Sequence, residues 1–196
     1  MIPADEGSMA TLANPQAGLA AIAEKDLGLE ESPPGSNRGP QIAKFFAADN
    51  YVPGSKDEGY AWCACAVSYW VQVFLRTAGR EFYDVAAPRL CAAFDFNVWA
   101  QRNGCLVFTP AQIRKGIYRH QRGDIVVYGF SHVGIVSSVN TKDTNFTAIE
   151  GNSNDDGSRE GYEVVAHART LGAVESGDKA QGRFIRLSPI GKVVRS

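Results

Sequence analysis

The sequence predicts an α+β protein whose helices come first along the chain and whose strands follow. Apolar residues recur at helical spacing in several segments of the first half. After Arg122-Gly123-Asp124 the pattern changes to short runs in which apolar and polar residues alternate, as in strands. The links between the first four runs are too short for helices, which implies hairpins and an antiparallel sheet of about five strands. Helices packed on such a sheet form the α+β class.

The helices are predicted from the spacing of apolar residues and from the residues that end each pattern. The first runs from Pro15 to Leu27, and Gly28 ends it. Further helices are predicted at Gln41 to Ala48, at Cys63 to Ala78 and between Leu90 and Gln101. Within the last of these segments we expect Cys91, Phe94, Val98 and Trp99 to be buried.

The strands are predicted at Ile125 to Tyr128, His132 to Val139, Phe146 to Glu150, Tyr162 to Ala168 and Arg183 to Leu187. The second strand alternates, and successive side chains of a strand point to opposite faces of the sheet. We therefore expect one face to carry Val133, Ile135, Ser137 and Val139, and the other face the residues between them.

Length and composition indicate one folded domain. The chain has 196 residues, of which 44% are hydrophobic and 21% charged, and its net charge is −1. We assign residues 1–14 to a flexible tail and residues 15–196 to a single catalytic domain. The charge balance gives no reason to expect nucleic-acid binding, and no stretch is long enough for membrane insertion. Because no signal peptide is visible, we expect synthesis in the cytoplasm.

A cysteine stands where the most apolar helix is predicted to begin. Cys63 follows the loop residues Gly59 and Tyr60 and opens an apolar run that continues through Leu75. The first N–H groups of a helix have no partner within it and carry the positive end of its dipole. A thiol placed there loses its proton more readily than in solution, and the thiolate is the nucleophile. The alternative is a buried cysteine that acts as a small hydrophobe.

The other cysteines suggest neither a disulfide scaffold nor a metal site. The chain has four cysteines in all, with no CxxC pair and no zinc-finger spacing. Cys65 lies two residues beyond Cys63, so on a helix its side chain points about 200° away. Cys91 and Cys105 can pair if the protein matures in an oxidising compartment, or remain free thiols. We expect no metal and no cofactor in the chemistry.

A nucleophilic cysteine needs a base, and the chain has only three histidines. His120 lies in a polar loop and is expected to be solvated, and His167 lies inside an alternating strand. His132 opens a strand, and a hairpin places it beside the end of the next strand, where Glu150 and Asn152 stand. Glu or Asn there can fix the tautomer of the base. The alternatives are a structural histidine and simple turn chemistry at Gly-Asn.

Four short motifs in this order resemble those of the CHAP family, the cysteine- and histidine-dependent amidohydrolases and peptidases of the papain-like superfamily. The motifs are Trp62-Cys63-Ala64, Arg122-Gly123-Asp124-Ile125-Val126, His132-Val133-Gly134-Ile135-Val136 and Ile149-Glu150-Gly151-Asn152. The resemblance covers roughly residues 17 to 170. It implies a papain-like fold for the whole catalytic domain.

The resemblance also implies the roles of individual residues. Cys63 would be the nucleophile, His132 the base and Glu150 the group that orients the base, with Asn152 as the alternative third member. Tyr60 and Trp62 flank the nucleophile and are expected to line the substrate groove. The alternative for both aromatic residues is ordinary core packing.

The family implies an enzyme that degrades bacterial cell walls by cleaving an amide bond of peptidoglycan. We expect a phage endolysin or a secreted antibacterial effector, acting in the periplasm or on the cell wall after release or secretion. Peptidoglycan is then the partner, together with an immunity or inhibitor protein if the chain is an effector. Two alternatives stay open: a cysteine protease or acyltransferase that acts on proteins, and a non-catalytic module that binds the wall.

Overall fold

A computed structural model describes residues 14–49, 59–77, 79–140, 144–154 and 160–188. It confirms the α+β class: helices come first, and an antiparallel sheet occupies the C-terminal half. Apart from Asn14, the tail assigned to residues 1–14 lies outside the described residues. Among the helices that the structure describes, none is long and apolar enough to cross a membrane.

The described part of the chain forms six α-helices, one short 3-10 helix and six strands. The helices are α1 (Ala17–Ala23), α2 (Ala43–Ala48), α3 (Cys63–Arg76), α4 (Asp95–Arg102), α5 (Pro110–Arg114) and α6 (Leu171–Val174), and the 3-10 helix Glu24–Asp26 follows α1. The strands are β1 (Leu106–Phe108), β2 (Ile125–Tyr128), β3 (His132–Val139), β4 (Phe146–Ser153), β5 (Glu163–Arg169) and β6 (Arg183–Arg186).

The sheet has the strand order β1-β6-β2-β3-β4-β5, and every neighbouring pair is antiparallel. The sequence predicted about five strands and missed β1. This strand is only three residues long, with Leu106 paired to Arg186 and Phe108 to Phe184. Three apolar residues show no alternation, so only the pairing with β6 identifies them as a strand.

Both faces of the sheet are covered, and each face contributes to its own hydrophobic core. On the first face, Ile125 and Val127 of β2 pack in the same core as the apolar residues of α1 to α4. On the second face, Val126 and Tyr128 pack in a core that includes residues of α5 and α6. All four residues of β2 are therefore buried, which explains why this strand is apolar throughout rather than alternating.

A β-bulge in β3 corrects the alternation that the sequence predicts for this strand. Val133 and Ile135 do share the first core, but Val139 packs in the second core together with Val136. The register with β4 shifts between Val136 and Ser138. An extra residue at a bulge reverses the faces of all residues beyond it, so the predicted face of Val139 is wrong.

Two further predictions concerned the segment around α4. The helix begins at Asp95 rather than near Leu90. Cys91 lies in the irregular segment before it and is exposed, and Val98 is 47% exposed, so the expectation that both are buried is wrong. Trp99 is buried as predicted, and the other buried residues of α4 are Phe96 and Ala100.

Helix α3 packs against β4 at a glycine that allows a close approach. A Cβ atom on Gly151 would lie 2.5 Å from Cζ3 of Trp62 and 2.9 Å from Cβ of Ala66. Real Cβ atoms essentially never come this close, so a larger residue would push the start of α3 away from the sheet. The glycine of the Glu150-Gly151-Asn152 motif is thus explained by packing.

We expect Gly151→Ala to lower the free energy of unfolding by about 1–3 kcal/mol, because it overpacks the core beneath α3. It should also reduce any activity that depends on the position of Cys63. Urea denaturation measures the first effect. Gly172→Ala in α6 is the matched control, since its Cβ would lie 3.5 Å from Oγ1 of Thr170. A Gly151→Ala protein as stable as the control would contradict this account of the packing.

Candidate active site

Cys63 lies in the first turn of α3, and hydrogen bonds to the N–H and to the carbonyl of the preceding residue, Trp62, fix the backbone there. Cys63 is the first residue of the helix, and the first helical hydrogen bond runs from Ala66 N to Trp62 O at 2.9 Å. Trp62 N donates to Oδ1 of Asn152 at 2.7 Å, which ties the start of α3 to the end of β4. The backbone N–H groups of the first turn have no acceptors within the helix, so they can serve a ligand.

His132 is the first residue of β3 and follows a tight turn. Ser131 has a positive φ of 64°, and its N–H donates to Tyr128 O at 3.1 Å. The imidazole is fully buried and stacks on the rings of Tyr128 and Phe130, with centroids 5.9 Å away in both cases. These neighbours restrict the orientation of the ring.

Glu150 lies beside His132 on the neighbouring strand, as the hairpin argument predicts. Oε2 of Glu150 is 3.2 Å from Nε2 of His132, and both side chains are fully buried. Gly134 leaves room for this carboxylate, because a Cβ there would lie 2.8 Å from Cγ of Glu150. Gly134 is therefore explained by packing, because it leaves space for the side chain of Glu150.

Two residues that the sequence reasoning missed hold Glu150 in place. Arg169 donates from Nε to Oε1 of Glu150 at 2.9 Å and from Nη2 to Oε2. Tyr128 donates its hydroxyl to Oε1 at 2.6 Å. Cζ of Arg169 also lies 5.3 Å from the centroid of the Tyr128 ring. An arginine near the end of a strand carries no signal of this role, which arises only when β5 pairs with β4.

Cys63 and His132 interact directly at the end of the sheet, and this interaction sets the charge of the imidazole. Burial alone would lower the pKa of His132, but the charge and hydrogen bonding of Cys63, followed by those of Glu150, raise it to about 10. Neither ring nitrogen makes a well-aligned hydrogen bond within the described residues. Hydrogen bonds of this kind are often loose before a substrate binds. His132 is therefore an imidazolium at neutral pH.

Glu150 is ionised throughout the neutral range. Burial would raise the pKa of its carboxyl group, but the contact with Nε2 of His132 and the hydrogen bonds from Arg169, together with the charges of both groups, lower it to about 2. The guanidinium of Arg169 and the imidazolium of His132 thus both lie beside the carboxylate of Glu150.

The alkaline limit of any activity that needs protonated His132 should lie near pH 10 rather than near 6.5. The folded pKa of His132 is raised, so the stability that its charge contributes is complete below pH 6.5 and is lost as pH rises through about 10. NMR titration of the His132 ring measures this pKa directly. In Cys63→Ala, which removes the main cause of the increase, the pKa should fall. An unchanged pKa in that variant would contradict the direct interaction between Cys63 and His132.

The remaining residues predicted for the site have different positions. Trp62 is fully buried, stacks on Phe45 and donates from Nε1 to Oε1 of Glu31 at 2.8 Å, so the predicted substrate contact is wrong and core packing describes it. Tyr60 is 54% exposed and lines a cleft, where a substrate contact remains a prediction. Asn152 holds the start of α3 through the Trp62 amide.

The other two histidines lie away from this arrangement. His120 packs against Phe146 and Phe184 and is 5% exposed, so the expectation of a solvated side chain is wrong. Burial, followed by the charge of Arg186, lowers the pKa of His120 to about 4, which keeps it neutral. Nε2 of His167 lies 3.1 Å from the hydroxyl of Ser153 within the sheet.

A buried cysteine at a helix start, paired with a histidine that a carboxylate orients, defines a thiol-dependent hydrolase type of site on an α+β fold. The family model of the CHAP domain matches residues 55–152, which are 98 of the 196 residues. The chain therefore belongs to the CHAP family of cysteine- and histidine-dependent amidohydrolases and peptidases. Neither the curated proteins nor the solved structures contain a significant match.

Proposed function

We propose that this protein is a peptidoglycan hydrolase in which Cys63 attacks an amide carbonyl of the cell wall. The observation that carries the proposal is the buried arrangement of Cys63, His132 and Glu150, in which His132 has a pKa of about 10. All three residues lie within the range that matches the CHAP domain. Family membership supports peptidoglycan hydrolase or amidase activity in general.

In the first step the thiolate of Cys63 attacks the amide carbonyl carbon and forms a carbon–sulfur bond. The negative charge moves to the carbonyl oxygen. Because Cys63 is the first residue of α3, its own N–H has no acceptor within the helix and is positioned to donate to this oxygen. The positive end of the helix dipole acts in the same direction.

In the second step the carbon–nitrogen bond breaks, and the imidazolium of His132 gives its proton to the leaving amine. A thioester on Cys63 remains. His132, now neutral, takes a proton from water, the hydroxide attacks the thioester, and the acid product leaves with Cys63 returned to the thiolate. Each proton lost by His132 is recovered from water within one cycle.

Glu150 and Arg169 act through His132. The carboxylate of Glu150 orients the ring by its contact with Nε2 and stabilises the imidazolium. Arg169 and Tyr128 occupy Oε1 of Glu150 and fix its orientation, so Arg169 is a positioning residue. Asn152 positions the nucleophile by holding the amide of Trp62.

The proposed substrate is an amide bond within the stem peptide, within its cross-links, or between sugar and peptide. The biological settings that fit are a phage endolysin and a secreted antibacterial effector that acts in the periplasm or on the cell wall. An effector would also have an immunity or inhibitor protein as a partner. These assignments rest on the family and on the chemistry of the site.

The test is to incubate the purified chain with isolated peptidoglycan in a reducing buffer and to identify the released fragments by mass spectrometry. New amine and carboxyl ends at one type of amide bond are expected, and Cys63→Ala should release none. If the chain cleaved unfolded proteins and left peptidoglycan intact, this result would instead favour a protease. Transfer of an acyl group to an added amine, without hydrolysis, would favour an acyltransferase.

A further inference from the structure

Two thiols and a carboxylate from three separate segments meet beside the helix of the nucleophile. Asp49 follows α2, Cys65 is the third residue of α3, and Cys91 lies in the irregular segment before α4. An oxygen of Asp49 and the two Sγ atoms all lie within 4.8 Å of one another. The fold therefore gathers three side chains that commonly bind metals at a single point.

Hydrogen bonding within this cluster leaves the carboxylate incompletely satisfied. Sγ of Cys91 donates to Oδ2 of Asp49 at 3.0 Å. Oδ1 of Asp49 is buried, and the described part of the chain offers it no hydrogen-bond partner. A buried carboxylate oxygen without a partner is costly, so the cluster has capacity for a further positive group.

Either a Cys65–Cys91 disulfide or a cation held by all three residues can form here, and the contacts favour the cation. Oxidation of the thiols would remove the S–H donor that Asp49 now has and leave its carboxylate, one oxygen of which is buried without a partner, poorer in donors. A cation would satisfy the carboxylate and both sulfurs at once. Cys65 is 2% exposed whereas Cys91 is exposed, which leaves one side of the cluster open to a water ligand.

We propose that Asp49, Cys65 and Cys91 bind one divalent cation that prefers sulfur ligands, with Zn²⁺ favoured by this set. Two thiolates and a carboxylate are ligands of Zn²⁺, whereas Ca²⁺ and Mg²⁺ select oxygen. A water molecule completes a four-coordinate site. Binding forms two metal–sulfur bonds, breaks two S–H bonds and releases two protons to the solvent.

The proposed role of the cation is structural and does not depend on the proposed hydrolysis. It would join α2, α3 and the segment before α4 at the wall of the cleft that Tyr60, Cys65 and Cys91 line. Cys65 lies two residues after Cys63 on α3, and the two side chains point to different sides of the helix. The cation would thus fix the helix of the nucleophile without using the nucleophile.

The experiment is a titration of the reduced, chelator-treated full chain with Co²⁺ alone, followed by Zn²⁺. A single equivalent of Co²⁺ should produce a thiolate-to-cobalt absorption band that Zn²⁺ removes, and Zn²⁺ should raise the melting temperature. Cys91→Ser removes an exposed ligand and should weaken Co²⁺ binding by about 100-fold or more, as should Asp49→Asn. Cys105→Ser is the matched control and should keep the full band.

Circular dichroism shows whether each variant is folded. If Cys91→Ser does not fold, the loss of Co²⁺ binding is tested with Asp49→Asn alone. Absence of the band in the reduced wild-type chain would overturn the proposal. So would a band that survives in Cys91→Ser and Asp49→Asn but disappears in Cys63→Ser, because the cation would then occupy the nucleophile's site. The unreduced protein could instead yield a Cys65–Cys91 cross-linked peptide, with no Co²⁺ band after reduction. This result would assign a disulfide, and not a cation, to the cluster.

Discussion

Replacing Cys63 with alanine is expected to lower the rate of peptidoglycan hydrolysis by about three orders of magnitude or more, with the fold preserved. The variant removes the only atom that forms the covalent intermediate. The position is buried, at 6% exposure, but the change removes only one heavy atom, so little packing is lost. Rates of fragment release from isolated peptidoglycan measure the effect, and circular dichroism verifies the fold.

Cys105→Ala is the matched control for this prediction. Cys105 is also buried, and burial raises the pKa of its thiol to about 11, so it is not a nucleophile at neutral pH. We expect this variant to keep its activity, and iodoacetamide to modify Cys63 before Cys105. A folded Cys63→Ala protein that still hydrolyses peptidoglycan would show that the thiol assignment is wrong.

Replacing Glu150 with glutamine is expected to reduce both activity and stability, for two separable reasons. The rate should fall by about 10²- to 10⁴-fold, because His132 loses the carboxylate that orients it and stabilises its charge. The free energy of unfolding should fall by about 3–5 kcal/mol, because removing the carboxylate breaks a buried ion pair with Arg169, whose side chain is only 12% exposed.

The double variant Glu150→Gln/Arg169→Met separates these two effects. Removing the arginine as well should recover part of the lost stability, because a guanidinium no longer lies beside a neutral amide in the core, whereas activity should stay low. The pKa of His132, followed by NMR, should fall in both variants, since Glu150 is one of the groups that raise it. A purely structural role for Glu150 would leave that pKa unchanged.

Glu175→Gln is the control for removing a carboxylate from an ion pair with arginine. Oε2 of Glu175 lies 2.6 Å from Nη2 of Arg114, whose side chain is 47% exposed. Surface pairs contribute about 0–1 kcal/mol, so this variant should differ little from the wild type. If Glu150→Gln behaved like Glu175→Gln in both assays, the buried carboxylate would have no special role.

The parts of this protein that the sequence determined by itself are those that depend on local spacing. Helical spacing followed by alternation was enough for the α+β class, and the short link between two strands was enough to place His132 beside Glu150. The reason is geometric, because these two residues stand at adjacent ends of one hairpin. Such positions follow from short-range patterns.

The tertiary structure alone decided features that depend on contacts between distant segments. Arg169 reaches Glu150 only because β5 pairs with β4, and the bulge in β3 moves Val139 to the second core. Asp49, Cys65 and Cys91 meet only when α2, α3 and the segment before α4 pack together. Charge pairing, bulges and shared ligand sites arise from packing between elements, and no period within a single segment encodes them.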